Sequence, residues 1–324
     1  MKTYYDIVVI GAGPAGLLSA ISAKKQGIDD IIIIDRDDNL GGILNQCIHD
    51  GFGIEIFNEN LTGTEYAERL NEEVKKLNIQ YKCNTVVLNI DDNKVVTAVN
   101  KNQGIFQIKA KALIYATGAR ETANFKINID KSRSAGVYTA GTVQRFVNIE
   151  GYVPGKNALI LGSDNIALIT AGRLAIEGTN VKALIEPQQH ILGDKEKLEL
   201  WIHSFNIPIK LGYDIVEIKG RKRITGVTIA KLDNNKIIEG TEEHIECDAL
   251  IVGAKLTPEI ELIKKLTITM CKETMGPKVD KNFQTDISGI FVCGNALHIN
   301  RSADGAAIEG KKTGIYAANY IRKL

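Results

Sequence analysis

Gly11-Ala12-Gly13-Pro14-Ala15-Gly16 follows the apolar run Asp6-Ile7-Val8-Val9-Ile10, and a second apolar run, Ile31 to Ile34, ends on Asp35. The order is strand, glycine turn, helix, strand, acid, the pattern with which an α/β unit holds a dinucleotide. Each residue type has a physical reason. Gly11 permits a tight turn, and Gly13 leaves room for a pyrophosphate against the backbone. Pro14 and Ala15 open a helix predicted over 14–26, whose free N–H groups and positive dipole end suit phosphate. Gly16 lets that helix lie close to the sheet. Asp35, about 20 residues beyond the turn, stands where a carboxylate accepts hydrogen bonds from a ribose. A glycine turn in some other α/β fold would account for the glycines alone, not for the acid in register with them.

These residues need a scaffold, and the rest of the chain supplies one twice. A strand, a Gly-containing turn, a helix and a strand ending in an acid recur, followed by short strands and a strand ending in small residues. The first copy runs from Asp6 through Asp35 to Ala116-Thr117-Gly118-Ala119. The second runs from Ala158-Leu159-Ile160-Leu161-Gly162 through Glu186 to Val252-Gly253-Ala254. Asp91-Asp92-Asn93 and Asp233-Asn234-Asn235 mark the hairpin turns, with strands expected over 95–99 and 105–110. A further strand over 289–294 and a helix over about 304–322 return to the first copy. The expected fold is α/β: two Rossmann-like three-layer ββα dinucleotide-binding domains, the second inserted in the first. The boundaries are 1–120 with 256–324 for the outer domain and 121–255 for the inserted one.

Bulk properties narrow the function. The 324 residues carry a formal charge of +1 and are 44% hydrophobic, enough for two ordinary cores. A near-neutral balance offers no broad attraction to nucleic acid or to an anionic membrane. No apolar run has the length of a membrane span and no leader precedes the first strand, so a cytoplasmic location is expected. Cys47, Cys83, Cys247, Cys271 and Cys293 are odd in number and none form a CxxC. That argues against a disulfide framework and against a metal site.

The N-terminal turn, Ala116-Thr117-Gly118, the Gly162 motif and Gly289-Ile290-Phe291-Val292-Cys293-Gly294-Asn295 resemble the two-domain flavoproteins of the thioredoxin reductase and pyridine nucleotide–disulfide oxidoreductase superfamily. Within it, Gly41-Gly42-Ile43-Leu44-Asn45-Gln46-Cys47-Ile48-His49 with Gly51-Phe52-Gly53 is similar to one branch. So are Gly136-Val137-Tyr138-Thr139-Ala140-Gly141-Thr142 and Val147-Asn148-Ile149-Glu150-Gly151-Tyr152. That branch is the FAD-dependent oxidoreductase that accompanies anaerobic glycerol-3-phosphate dehydrogenases. The resemblance implies FAD in the first domain. Gly11, Gly13, Pro14 and Ala15 would hold the pyrophosphate, and Asp35 the adenosine ribose. Arg36 would lie over the adenine or neutralise a phosphate, and Val86 would reach the adenine through its backbone. Gly42 and Gln46 would flank the flavin. Ala116, Thr117 and Gly118 would close the site, with Gly294 and Asn295 near the ribityl chain. Ala303 and Asp304 begin a helix that would aim its N-terminus at the flavin, although Asp304 also reads as a plain helix cap.

The resemblance departs in two places. Disulfide reductases carry two cysteines where this chain has none paired, so no redox disulfide is expected. Cys47 alone falls in the stretch facing the flavin. It reads either as a small packed residue or as a catalytic thiol cycling through a sulfenic acid, with His49 lowering its pKa. His298 is expected near the flavin rim. The second departure is Gly162-Ser163-Asp164-Asn165-Ile166-Ala167, where the family has glycine at the positions of Asp164 and Ala167. Gly162, Asn165, Ile166, Glu186 and Gly253 are the candidate residues for NAD, with Glu186 favouring NADH over NADPH. A carboxylate about 4 Å from a phosphate costs on the order of 4 kcal/mol at an effective dielectric near 20. Asp164 therefore weakens the site, unless it is a helix cap turned away from the phosphate. Three functions remain open. One is electron transfer between NAD(H) and a partner, such as a companion dehydrogenase or electron carrier, or a small acceptor. The second is an NADH oxidase or peroxidase using flavin and Cys47. The third is a flavin-carrying subunit that no longer uses NAD.

Overall fold

The structure is a computed structural model that describes residues 2–122 and 134–324. They fall into two compact units, Met1–Arg120 with Leu256–Leu324, and Glu121–Lys255.

The first unit opens with β1 (Tyr4–Ile10), α1 (Pro14–Lys25) and β2 (Ile31–Ile34). A short helix, α2 (Ile54–Phe57), and α3 (Gly63–Lys76) follow. Thr62 and Glu65 start α3 with a capping box, each side chain bonded to the other's backbone N–H. Then come β3 (Gln80–Lys82), β4 (Val86–Ile90), β5 (Val95–Asn100) and β6 (Gly104–Tyr115). The sheet order is β3-β2-β1-β6-β5-β4. β1 and β2 read as unbroken apolar runs because both faces of the sheet are covered. Ile7, Val9, Ile31 and Ile33 face one core. Val8, Ile10, Ile32 and Ile34 face the other.

The sequence suggested separate strands for 105–110 and for the run before Gly118. They are one strand. The first half of β6 pairs antiparallel with β5, and its second half runs parallel to β1. Lys109 is the hinge of that change, paired with Val95 on one side and Tyr4 on the other.

The chain leaves through β7 (Ala119–Thr122) into the second unit. Its elements are β8 (Val137–Thr139), α4 (Ala140–Asn148), β9 (Asn157–Leu161), α5 (Asn165–Ile176), β10 (Asn180–Glu186), α6 (Lys195–Trp201) and β11 (Ile209–Leu211). The meander β12 (Tyr213–Lys219), β13 (Gly226–Asp233), β14 (Lys236–Ile237) and β15 (Glu243–Ile245) precedes β16 (Ala249–Val252). The main sheet is parallel, in the order β11-β10-β9-β16-β8. Helices cover one face and the meander the other. Asn234 and Asn235 both take left-handed backbone, φ 48° and 61°, as a two-residue hairpin turn requires.

β17 (Lys255–Pro258) pairs with β7 and carries the chain back. β18 (Ile290–Val292) then joins β6 in parallel, and α7 (Ala303–Ile321) packs along α1. Small residues make that approach possible. A Cβ at Gly310 would stand 2.0 Å from the Ala15 carbonyl oxygen, and one at Gly314 2.1 Å from that of Ser19. The architecture is α/β, with two Rossmann-like three-layer ββα units and the second inserted in the first. Among the described residues no helix is long and apolar enough to cross a membrane.

Candidate functional site

In the first unit the strand order reverses direction between β1 and β6, and the carboxyl ends of those strands are where an open α/β sheet takes its ligand. The sequence-derived residues converge there. Gly11 has φ +100°, and a Cβ on it would lie 2.3 Å from the Ala116 carbonyl oxygen. Gly16 sits against the Gly11 carbonyl, at 1.9 Å by the same measure, so α1 begins directly on the turn. Gly13 is the N-cap of α1, and no side chain caps its N–H groups. A Cβ at Gly13 would meet no protein atom within 4 Å. The helix end is thus open and its first donors are unspent, the condition under which a helix N-terminus binds an anion. Gly42 closes one side, 3.0 Å from the Gly13 Cα by the Cβ measure, and the Gly41 N–H donates to the Ala12 carbonyl at 2.8 Å.

Asp35, the residue after β2, is buried, accepting from the N–H of Ala12 and, at 2.9 Å, from that of Asp37. Burial raises its pKa and these two N–H groups oppose the rise. Arg36 is exposed beside it. Val86 opens β4 next to Thr85, whose N–H donates to the Asp35 carbonyl at 2.9 Å. Thr117 Oγ1 donates to the Glu259 carbonyl at 2.9 Å, and the Glu259 N–H donates to that of Gly118 at 3.0 Å. Gln46 is buried in the turn after Gly42. On the opposite side Gly294, φ +64°, lies against Ala15, 2.7 Å from its Cβ by the same measure.

Several expectations need correction. Asp304 does not cap α7. Ser302 does, accepting from the Gly305 N–H at 3.0 Å, and Ala303 and Asp304 form the first turn. Asp304 is only 5% exposed, and its Oδ2 accepts from the Glu55 N–H at 3.0 Å. The fully buried Tyr66 hydroxyl faces the Asp304 carboxylate; burial, that charge and a hydrogen bond to it raise the Tyr66 pKa. The His49 ring packs on Phe52 at 5.1 Å, while burial pushes the Cys47 thiol up to about 12 and Sγ donates to the Ile43 carbonyl at 3.3 Å. His298 pairs with Glu309 at 2.9 Å. Asn295 Oδ1 accepts from the Asn300 N–H at 2.9 Å.

Glu309 is a residue that sequence reasoning missed. Its other oxygen accepts from the Gly294 N–H at 3.0 Å, so this side chain of α7 ties down the Gly294–Asn295 turn. No local pattern marks a contact that joins a helix to a loop before it.

The second unit repeats the plan with different chemistry. Gly162, φ +98°, lies against Gly253 at the end of β16, as Gly11 lies against Ala116. Asp164 is the N-cap of α5, its Oδ1 accepting from the Ala167 N–H at 2.9 Å, with Ile166 in the same first turn. Burial raises its pKa, opposed by the N–H groups of Ala167 and Ile166. Glu186 ends β10 buried, bonded to Ser163 Oγ at 2.6 Å and to the Gln188 N–H at 2.8 Å.

Fold and site together define a protein with two dinucleotide-type units, of which the first keeps an open anion cradle. The family model of pyridine nucleotide-disulphide oxidoreductases matches residues 5–310, and the chain belongs to that family. It is 27% identical to a thioredoxin reductase of Ureaplasma parvum, over 98% of this chain and 97% of the relative. It is 23% identical to a ferredoxin–NADP reductase of Picrophilus torridus, over 98% and 94%. The fold is that of the T. acidophilum thioredoxin reductase crystal structure, with a TM-score of 0.77 and 18% identity, covering 98% of this chain and 99% of that one. The chain is accordingly an oxidoreductase of the FAD-dependent kind.

Proposed function

We propose that the first unit holds FAD and that the protein passes electrons through it to a partner protein or small acceptor without a redox disulfide. The observation that carries this reading is the uncapped N-terminus of α1 at Gly13, with empty room in front of it and Asp35 beside it. The residues fit the cofactor. The N–H groups of Gly13 and Ala15 face the pyrophosphate, Pro14 sets the first turn of the helix and Gly11, its own N–H donated to the Ile34 carbonyl at 2.9 Å, makes the tight turn, with Gly42 keeping the backbone close. Asp35 accepts from the adenosine ribose, with Arg36 and Val86 at the adenine end. Gln46, Ala116, Thr117 and Gly118 line the flavin end. Since Asn295 Oδ1 is committed to Asn300, its amide nitrogen is the group left to donate to a ribityl hydroxyl. When bound, FAD supplies hydride and electron transfer at its ring; the protein supplies position and electrostatics.

The peroxidase reading through Cys47 loses support, because a thiol held protonated up to about pH 12 is a poor nucleophile. The similarity of the 41–53 and 136–152 strings to one flavoprotein branch supports a companion dehydrogenase subunit as the electron partner.

Gly13→Asp tests the cofactor site. Gly13 has φ −73°, which any residue adopts, and a Cβ there meets nothing, so the variant should fold as the parent does. It should lose FAD, because the new carboxylate occupies the phosphate's place. Circular dichroism checks the fold, and the flavin released by heat is identified by chromatography. FMN in the parent, or full FAD retention in Gly13→Asp, would refute the assignment.

A further inference from the structure

The glycine turns of the two units correspond through one backbone hydrogen bond in each. In the first, the loop after β2 returns to the glycine turn by the Gly41 N–H donating to the Ala12 carbonyl at 2.8 Å. In the second, the loop after β10 returns by the Gly193 N–H donating to the Ser163 carbonyl, also at 2.8 Å. Gly193 therefore corresponds to Gly41, and the next residue, Asp194, to Gly42. The N-caps of α1 and α5 correspond likewise, Gly13 to Asp164. At both positions where the first unit has a glycine facing the helix end, the second has an aspartate.

Asp164 takes a donor of the helix end itself, and Asp194 is tied to Asn165 in the first turn beside it. Asp164 Oδ1 takes the Ala167 N–H, and a Cβ at Gly253 would stand 2.7 Å from its Oδ2. The carboxylate thus lies across the crevice between β9 and β16, where the strand order reverses. Asp194 closes the other side through a reciprocal pair with Asn165. Its Oδ2 accepts from Asn165 Nδ2 at 2.8 Å, and its N–H donates to Asn165 Oδ1 at 2.8 Å. The influences on the Asp164 carboxyl are burial and backbone N–H groups, with no cation among them.

We infer that the anion site of the second unit is filled by its own carboxylates, Asp164 and Asp194, so that this chain binds neither NADH nor NADPH there and neither nucleotide reduces its flavin from that unit. Because the obstacle is at the pyrophosphate position, it applies to both nucleotides alike, whatever Glu186 would prefer at the ribose. The statement about the flavin rests on the first unit being the FAD site; the statement about the second unit does not.

The test uses the FAD-loaded protein and the variant Asp164→Gly/Asp194→Gly. Anaerobic titration with NADH and with NADPH follows flavin bleaching, and calorimetry follows nucleotide binding independently of the flavin. The parent should stay oxidised at millimolar nucleotide while dithionite bleaches it, and should show no binding heat. The double variant should bind NADH at least roughly tenfold more tightly than the parent. Asp164→Asn, which keeps a cap and removes a charge, covers the case in which the double variant loses its fold. It should show a smaller gain in the same direction. Micromolar binding of either nucleotide by the parent would overturn the inference, as would a folded double variant or Asp164→Asn with no gain. Absence of FAD from the parent would refute the cofactor assignment instead, leaving the calorimetric result to judge the second unit.

Discussion

Cys47 and Asp164 show how burial decides what a reactive-looking side chain can do. Burial holds the Cys47 thiol protonated until about pH 12, well above its ordinary 9.0. Cys47→Ser should therefore leave electron transfer to an artificial dye within a few-fold of the parent. Alkylation of Cys47 at pH 8 should be slow beside an exposed thiol. Loss of a peroxide activity in Cys47→Ser, with FAD retained, would contradict this. Asp164 is raised above its ordinary 3.8 by burial, which sets the sign of a stability effect. Between 3.8 and the raised folded value the native state holds the proton more tightly, so stability falls as pH rises through that window. Above it the cost of the buried charge stays constant. Asp164→Asn keeps an N-cap without that charge and should be the more stable protein at pH 7. Its advantage should shrink as pH is lowered towards 3.8. Urea midpoints of both proteins at several pH values measure this, and a constant or inverted difference would count against it.

Among the elements, the contact of α1 with α7 has the least tolerance. Gly310→Ala would put a methyl 2.0 Å from the Ala15 carbonyl, in the first turn of the helix that faces the cofactor. Overpacking of this kind costs roughly 1–3 kcal/mol, and here the backbone must shift to relieve it. The expected result is a lower urea midpoint together with weaker flavin retention, read from the FAD left after dialysis. A variant that loses stability but keeps its flavin as tightly would separate the helix contact from the site. Elements governed by local chemistry were legible in the sequence: the α1 start at Pro14, the four-isoleucine β2 and the double-asparagine turn at Asn234. The capping box at Thr62 and Glu65 also follows a local pattern. The merger of two expected strands into β6 was not legible, since a strand can change partners without any change in its own residues. Glu309 on Gly294 and Asp194 on Asn165 were also hidden, because each joins segments whose meeting depends on the tertiary fold. The choice between the two roles of Asp164 needed the helix end itself, where the carboxylate is seen taking the Ala167 N–H.

Across the whole molecule, one plan occurs twice with opposite electrostatics at the helix end. The first copy leaves donors free at Gly13, and the second satisfies them internally at Asp164. Ligand linkage turns that contrast into a measurement on the intact protein. A ligand bound only by the folded state stabilises it by RT ln(1 + [L]/Kd), about 2.7 kcal/mol at a hundredfold excess over Kd. Adding FAD to flavin-stripped protein should raise the unfolding temperature measurably and saturate at one equivalent per chain. NADH or NADPH, added to the FAD-loaded protein at millimolar concentration, should leave it unchanged. FMN should stabilise less than FAD, because it lacks the adenosine ribose that Asp35 accepts from. A rise with NADH comparable to that with FAD would mean that the carboxylates at α5 yield to a dinucleotide, and that both copies of the plan still bind their nucleotides.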